Sequence, residues 1–299
     1  MGEPMDINYE LYKVFYYVAT TLSFSEASRK LYISQSAVSQ SVKTLENKLG
    51  TSLFTRSTKR VLLTPEGETL LRHIEPALNL IQRGENQILE TNALGDGQIR
   101  IGASDTICRY FLVPFLNQFH KEHPHVHIKI INRPSTQCVN LLTQGHVDLI
   151  VTNSPNSNLH YGQNVSEIHT FQDCFIANPD SYSELKDREV HLKELISYPI
   201  LMLDRTSTTS EYLHSLFQQN QLDLVPEFEL GSNDLLIDFS RIGLGIAFVP
   251  DFCIPNDKNL YILQIAEKLP KRKLIVAHDP QLPLSSAVKE FISLLHHKE

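Results

Sequence analysis

The chain lacks most of the features that would assign it quickly. No segment of its 299 residues approaches the ~18 uninterrupted apolar residues that a membrane helix requires, so a membrane-spanning helix is excluded and a soluble protein is expected. Cysteine is scarce. Cys108, Cys138, Cys174 and Cys253 stand far apart with no Cys-x-x-Cys pair, which argues against a zinc ribbon or a disulfide framework and for reduced, buried thiols. Residues Met1 to Asp6 carry no basic stretch followed by an apolar core, so a cytoplasmic location is expected. Gly-x-Ser-x-Gly, a phosphate-binding loop and His-Glu-x-x-His are all missing, and no nucleophile–base pair follows from spacing, so no enzyme is expected. His120, His123, His125 and His127 are crowded, but they run off a helix through Pro124 into a strand. That span suits no single metal geometry, and neither a metal nor a cofactor is expected.

Positive charge is also in short supply, with a formal net charge of −7, but it is unevenly spread. Residues 1–64 hold eight Lys/Arg against five Asp/Glu, while residues 65–299 hold nineteen against twenty-nine. A modestly basic head therefore precedes an acidic body, which places any polyanion partner at the head.

Within the head, Leu11, Val14, Phe15 and Val18 follow the i, i+3, i+4, i+7 spacing of a helix packed on a core. Ser23 and Glu26 form a capping-box pattern that opens a second helix near Phe24, burying Ala27 and Leu31. After a tight connection at Tyr32 and Ile33, Ser34 is a good N-cap for a third helix from Gln35 to about Leu49, closed by Gly50. Val38, Val42, Leu45 and Leu49 share its inner face. Gln35, Ser36, Ser39, Gln40 and Lys43 lie opposite, where amides and hydroxyls near the helix start can meet base edges and phosphates in a major groove. Residues 54–56 and 61–63 are then predicted to form a two-stranded wing, with Arg56, Lys59 and Arg60 placed to straddle phosphates.

The run from Phe15 to Leu71 closely resembles the LysR-type transcriptional regulators. The match is carried by Ala27-Ser28-Arg29-Lys30-Leu31, Ser34-Gln35-Ser36-Ala37-Val38-Ser39, Leu45-Glu46, Leu53-Phe54-Thr55-Arg56 and Leu63-Thr64-Pro65-Glu66-Gly67. The resemblance implies that residues 24–43 are a helix-turn-helix, that the third helix reads an interrupted inverted repeat in double-stranded DNA, and that the wing grips the flanking backbone. Ser36 departs from the Pro that many relatives carry there; both residues suit a first helical turn.

Thr64 as N-cap and Pro65 at N1 open a long helix to roughly Thr91. Leu70, Ile74, Ala77, Ile81, Gly84 and Ile88 alternate spacings of four and three, a heptad seam that calls for a partner helix. The resemblance implies self-association through this helix, as a dimer and further as a tetramer.

From Gln98 onward short apolar runs alternate with helical stretches, the pattern of parallel sheets covered by helices. The resemblance implies a two-lobed effector domain like a periplasmic solute-binding protein, best matched at Gly243-Leu244-Gly245-Ile246-Ala247-Phe248-Val249-Pro250 and at Gly145-His146-Val147-Asp148-Leu149. The expected fold is thus α/β with three parts: a winged helix-turn-helix over 1–64, a linker helix over 65–94 and an effector domain over 95–299. Lobe I is expected at about 98–164 and 267–299, and lobe II at about 165–266, with the chain crossing near Val165 and Ala266. Ligands in open α/β sheets sit beyond the carboxyl ends of strands. The residues recurring there are Ser104, Asp105 and Thr106; Ser135 and Thr136; Thr152 and Asn153; Arg205, Thr206 and Ser207, with Thr208 next; and Ser232 and Asn233. Arg205 with N–H groups would suit a small anion, whereas Asp105 would oppose one or bind an amino group. The peroxide-sensing branch of the family carries a cysteine pair in its second lobe, and residues 195–220 hold none. The reading that follows is a regulator bound to DNA and a small-molecule effector, with no membrane partner and with RNA polymerase as a further partner it allows. The alternative is a small-molecule-binding protein without regulatory DNA binding.

Overall fold

A computed structural model describes residues 7–56, 60–92, 97–159 and 163–296. The chain separates into two compact units, the first running to Leu89 and including Gln144–His146, the second made of Glu90–Thr143 and the chain from Val147.

The first unit begins with α1 (Tyr9–Thr21), capped by the Asn8 side chain, and α2 (Phe24–Leu31), whose Ser23 cap accepts from the Glu26 N–H at 3.2 Å. Tyr32 takes the left-handed conformation that ends α2, and α3 (Gln35–Leu49) starts at once behind Ser34. Val14, Phe15, Val18, Ala27, Val38, Val42 and Leu45 form one dry core among the three helices. Strands β1 (Phe54–Arg56) and β2 (Val61–Leu63) pair antiparallel, Phe54 opposite Leu63. Glu46 ties the wing to α3, its Oε1 accepting from the N–H groups of Leu53 at 2.8 Å and Phe54 at 3.3 Å. Helix α4 (Pro65–Asn92) follows, with the Thr64 hydroxyl accepting from the Gly67 N–H at 3.0 Å. A Cβ at Gly67 would lie 2.2 Å from the Leu53 carbonyl oxygen, so only glycine lets α4 leave the wing this closely. Pro76 sits inside α4, where it forgoes one backbone hydrogen bond.

The second unit holds two five-stranded mixed sheets. Strand β3 (Gln98–Ala103) leads into a helix that begins as α5 (Asp105–Ile107), widens to a π turn at Cys108–Leu112 and continues as α6 (Val113–Glu122). Strand β4 (His127–Asn132), α7 (Ser135–Thr143), β5 (Leu149–Ser154) and β6 (Asn164–Phe171) follow. Next come β7 (Asp173–Ala177), the short β8 (Glu189–Val190), α8 (Leu192–Leu195), β9 (Ile200–Leu203), α9 (Thr208–Gln219), β10 (Phe228–Leu230), α10 (Asn233–Arg241) and β11 (Ile246–Pro250). The chain closes with β12 (Tyr261–Ile262), β13 (Gln264–Ile265), β14 (Arg272–His278) and α11 (Ser286–His296).

One sheet has the order β4-β3-β5-β14-β6 and the other β10-β9-β11-β7-β12, so each makes a lobe with its own apolar core. Two expectations are corrected here. The sheets are mixed, because strands that return from the other lobe arrive antiparallel: β14 against β5 and β6, and β7 against β11. The first crossing lies at Gln172 rather than near Val165, because Asn164–Phe171 stays in the first sheet, zipped to β14. The return crossing lies between β13 and β14.

Candidate DNA-reading and effector sites

On α3 the spacing of Gln35, Ser36, Ser39, Gln40 and Lys43 puts them on the face opposite buried Val38, Val42 and Leu45. Gln35, Ser36, Gln40 and Lys43 are exposed and Ser39 is half-buried. Ser34 is partly occupied with holding the helix: its Oγ accepts from the Ala37 N–H at 3.2 Å and lies 2.9 Å from the Ser36 hydroxyl. Gln35, Ser36 and Ser39 line a surface hollow of about 410 Å³ with Phe24 and Val61, so the polar row continues onto the wing strand. Arg60 is exposed at the start of β2. Arg56 ends β1, and Lys59, at the tip expected for the wing, lies outside the described residues.

In the second unit, a cavity of about 120 Å³ lies between the lobes. Its wall includes Ser104, Asp105, Thr106, Ser135 and Asn153 from one lobe and Thr206, Ser207, Ser232 and Asn233 from the other. These residues lie at or just beyond strand ends, and the helices that start there, α7, α9 and α10, bring their first-turn residues Ser135, Thr208 and Asn233 to the same wall. Three of the expected residues do not line it. Thr152 is fully buried behind the wall, its hydroxyl 3.5 Å from the Ser135 carbonyl. Thr136 is a clasp, donating across the lobes to the Thr206 carbonyl at 2.6 Å. Arg205 lies outside the wall: its side chain is 81% exposed and faces Glu229 at 3.9 Å, because the turn after β9 points it to solvent. Thr208, expected next to Ser207, lines it as well, and Asn132, Pro134, Leu203, Asp204, Thr209, Leu230 and Gly231 complete the wall. Asp204 and Gly231 directly follow β9 and β10, so the strand-end rule applied to every strand would have found them.

Further polar bonds hold the lobes together around the cavity. Asn153 Nδ2 donates to Thr208 Oγ1 at 3.2 Å, Asn233 Nδ2 to Thr106 Oγ1 at 2.8 Å, and Tyr110 Oη to Asp234 Oδ1 at 2.5 Å. Behind Thr208 and Thr209 lies Arg272, 1% exposed, which donates to both hydroxyls at 3.2 and 3.1 Å and to Asp173 at 2.8 Å. Asp173 begins β7 and Arg272 begins β14, so this buried pair joins the two strands at which the chain changes lobes.

The cysteines are all free. Burial and then Asp105 push the Cys108 thiol up to about 11, and burial foremost pushes Cys138 and Cys174 each up to about 12. Thiols held protonated in this way are poor nucleophiles.

A winged helix-turn-helix followed by a two-lobed domain with a solute-sized cavity defines a DNA-binding regulator that answers to a small molecule. The comparisons agree: residues 9–68 match the bacterial regulatory helix-turn-helix of the lysR family, and residues 92–299 match the LysR substrate-binding domain. The chain belongs to the LysR family of transcriptional regulators. It is 26% identical over 292 residues to the HTH-type transcriptional regulator CysL of Bacillus subtilis, covering 96% of each chain. Full-length CbnR, solved in complex with its target DNA, shares the fold at TM-score 0.68 and 15% identity, over 97% of this chain and 99% of CbnR. The Synechocystis CcmR regulatory domain, solved in complex with 2-PG, aligns at TM-score 0.61 and 22% identity, over 67% of this chain and 96% of that one.

Proposed function

We propose that α3 enters the major groove of an interrupted inverted repeat, with Gln35, Ser36, Ser39, Gln40 and Lys43 at base edges and Ser34, Arg56, Lys59 and Arg60 on the backbone. The observation that carries this reading is the solvent-open row of amide, hydroxyl and ammonium groups on α3, adjoining the wing strand. The functional divisions are residues 1–64 for DNA, 65–94 for dimerisation and 95–299 for the effector. Lobe I is built on the β4-β3-β5-β14-β6 sheet and lobe II on the other. Ala77, Ile81, Gly84 and Ile88 on α4 are exposed, which favours a second copy as the occupant of that stripe, and a two-fold protein suits a two-fold operator. The cavity takes a compact effector, since ~300–1,000 Å³ is usual for a drug-sized ligand. Binding there shifts the equilibrium of subunit orientations and hence the spacing of the paired recognition helices. A reader of DNA works in the cytoplasm, as a regulator and not as an enzyme. Binding measured on operator and scrambled DNA tests the assignment. Gln35→Ala removes the preference between the two, and Arg60→Ala weakens both alike. Equal, sequence-independent losses from both variants contradict a reading helix at α3.

A further inference from the structure

Ligand chemistry at the inter-lobe cavity can be taken further, on the reading that this cavity is the effector site. We infer that the effector carries a protonated amine, most completely satisfied as a compact zwitterionic amino acid.

Charge points this way first. Among the described residues the wall holds two carboxylates, Asp105 and Asp204, and no Lys or Arg. Of the cations near the wall, Arg205 faces Glu229, Arg109 pairs with Asp234 at 3.2 Å, Arg272 is neutralised by Asp173 behind Thr208 and Thr209, and Arg133, exposed between Asn132 and Pro134, donates to the Asn132 carbonyl at 2.7 Å. A purely anionic ligand would enter against two like charges with no countercharge in the wall itself.

Hydrogen bonding points the same way independently. Asn153 and Asn233 line the cavity at 8% and 4% exposure, and the side-chain oxygen of each has no donor. Each nitrogen gives one N–H to Thr208 or Thr106, so each amide keeps an unpaired oxygen beside its second N–H. A buried acceptor left unpaired costs ~1–3 kcal/mol, which a donor-rich occupant would recover. On the carboxylates, Oδ1 of Asp105 accepts from Asn132 at 3.1 Å and Oδ1 of Asp204 from the Thr206 N–H at 2.9 Å. Gly231 and Asp204 lie side by side in the wall, and among the described residues Oδ2 of Asp204 has no hydrogen-bond partner. Thr208 Oγ1 already accepts from Arg272 and Asn153, so its proton is free to donate. An ammonium has three donors and no acceptor, which matches a wall of carboxylate and amide oxygens. The N-termini of α9 and α10 accommodate the other end. Ser232 makes no side-chain capping bond to α10, leaving the first-turn N–H groups there for a carboxylate.

The test is calorimetric titration of the full chain with two matched series: L-alanine, ethylamine and lactate; glycine, methylamine and glycolate. The expected order is amino acid tightest, amine weaker, and hydroxy acid weakest. Asp105→Asn and Asp204→Asn should each weaken the amino acid by about tenfold or more while leaving the hydroxy acid unchanged or tighter. A hydroxy acid that binds as tightly as its amino acid, and gains in both variants, overturns the ammonium requirement and leaves the cavity as the effector site. Amino-acid binding that is untouched by both variants and by the cavity-blocking Ser232→Phe places the ligand elsewhere and overturns both readings. Silence from every amine in the series overturns the ammonium requirement alone.

Discussion

The buried pair between Asp173 and Arg272 offers the sharpest energetic prediction. Their side chains are 0% and 1% exposed, and the guanidinium also donates to Thr208 and Thr209 and packs between Phe171 at 5.4 Å and Tyr212 at 5.0 Å. Asp173→Asn keeps the shape and removes the charge, leaving a guanidinium buried without a counterion. Breaking a buried pair this way costs about 3–5 kcal/mol. For a unit of this size each kcal/mol lowers the melting temperature by roughly 2–4 °C, so a fall of roughly 6–20 °C is expected. Thermal and urea unfolding of the full chain, followed by circular dichroism, would measure it. The double variant Asp173→Asn with Arg272→Met should lose less than the sum of the two single variants, because the orphaned charge is gone. A loss below about 1 kcal/mol in Asp173→Asn, or strict additivity in the double variant, would refute the reasoning. Effector affinity should fall as well, since Thr208 and Thr209 are positioned from behind by Arg272.

Two further outcomes follow from local geometry. Gly67→Ala forces a methyl to within 2.2 Å of the Leu53 carbonyl, so the first unit should lose about 1–3 kcal/mol and DNA affinity should drop while effector binding stays; an unchanged melting profile would rule out the close approach. At pH 8 the native protein should resist iodoacetamide at Cys108, Cys138 and Cys174, with thiols held up at about 11 to 12, while the unfolded chain reacts readily. Because these folded values lie above the ~8.5 of an unfolded cysteine, the associated stability is present below that pH and is lost as pH rises from there toward 11 to 12. Rapid labelling at pH 8, read by mass spectrometry, would contradict the burial.

What the sequence revealed and what it concealed have physical causes. Helices α1 to α3 were legible because their apolar spacing and caps are local, with Ser23, Ser34 and Gly50 each falling at the helix ends they announced. Asn164–Phe171 was not legible as a strand: it is largely exposed with irregular alternation, and its place depends on pairing with β14, over a hundred residues away. Nothing local singles out Arg272 between Lys271 and Lys273, yet the crossing topology buries it alone of the three, against Asp173. The cavity wall was half legible. Ser104 and Ser207 cap helices, Asp105 and Ser135 open them and Asn153 sits near the end of β5, whereas the outward turn of Arg205 and the clasp made by Thr136 are set by how the two lobes meet.

We propose that this chain reads a two-fold DNA site with α3. Footprinting of the purified protein on the intergenic region beside its own gene, at fixed salt, tests it most directly, with Gln35→Ala as control. Two protected half-sites are expected, related by inverted symmetry and separated by whole turns of the duplex, both lost in Gln35→Ala. Uniform protection without sequence preference, or half-sites that persist in the variant, would contradict it.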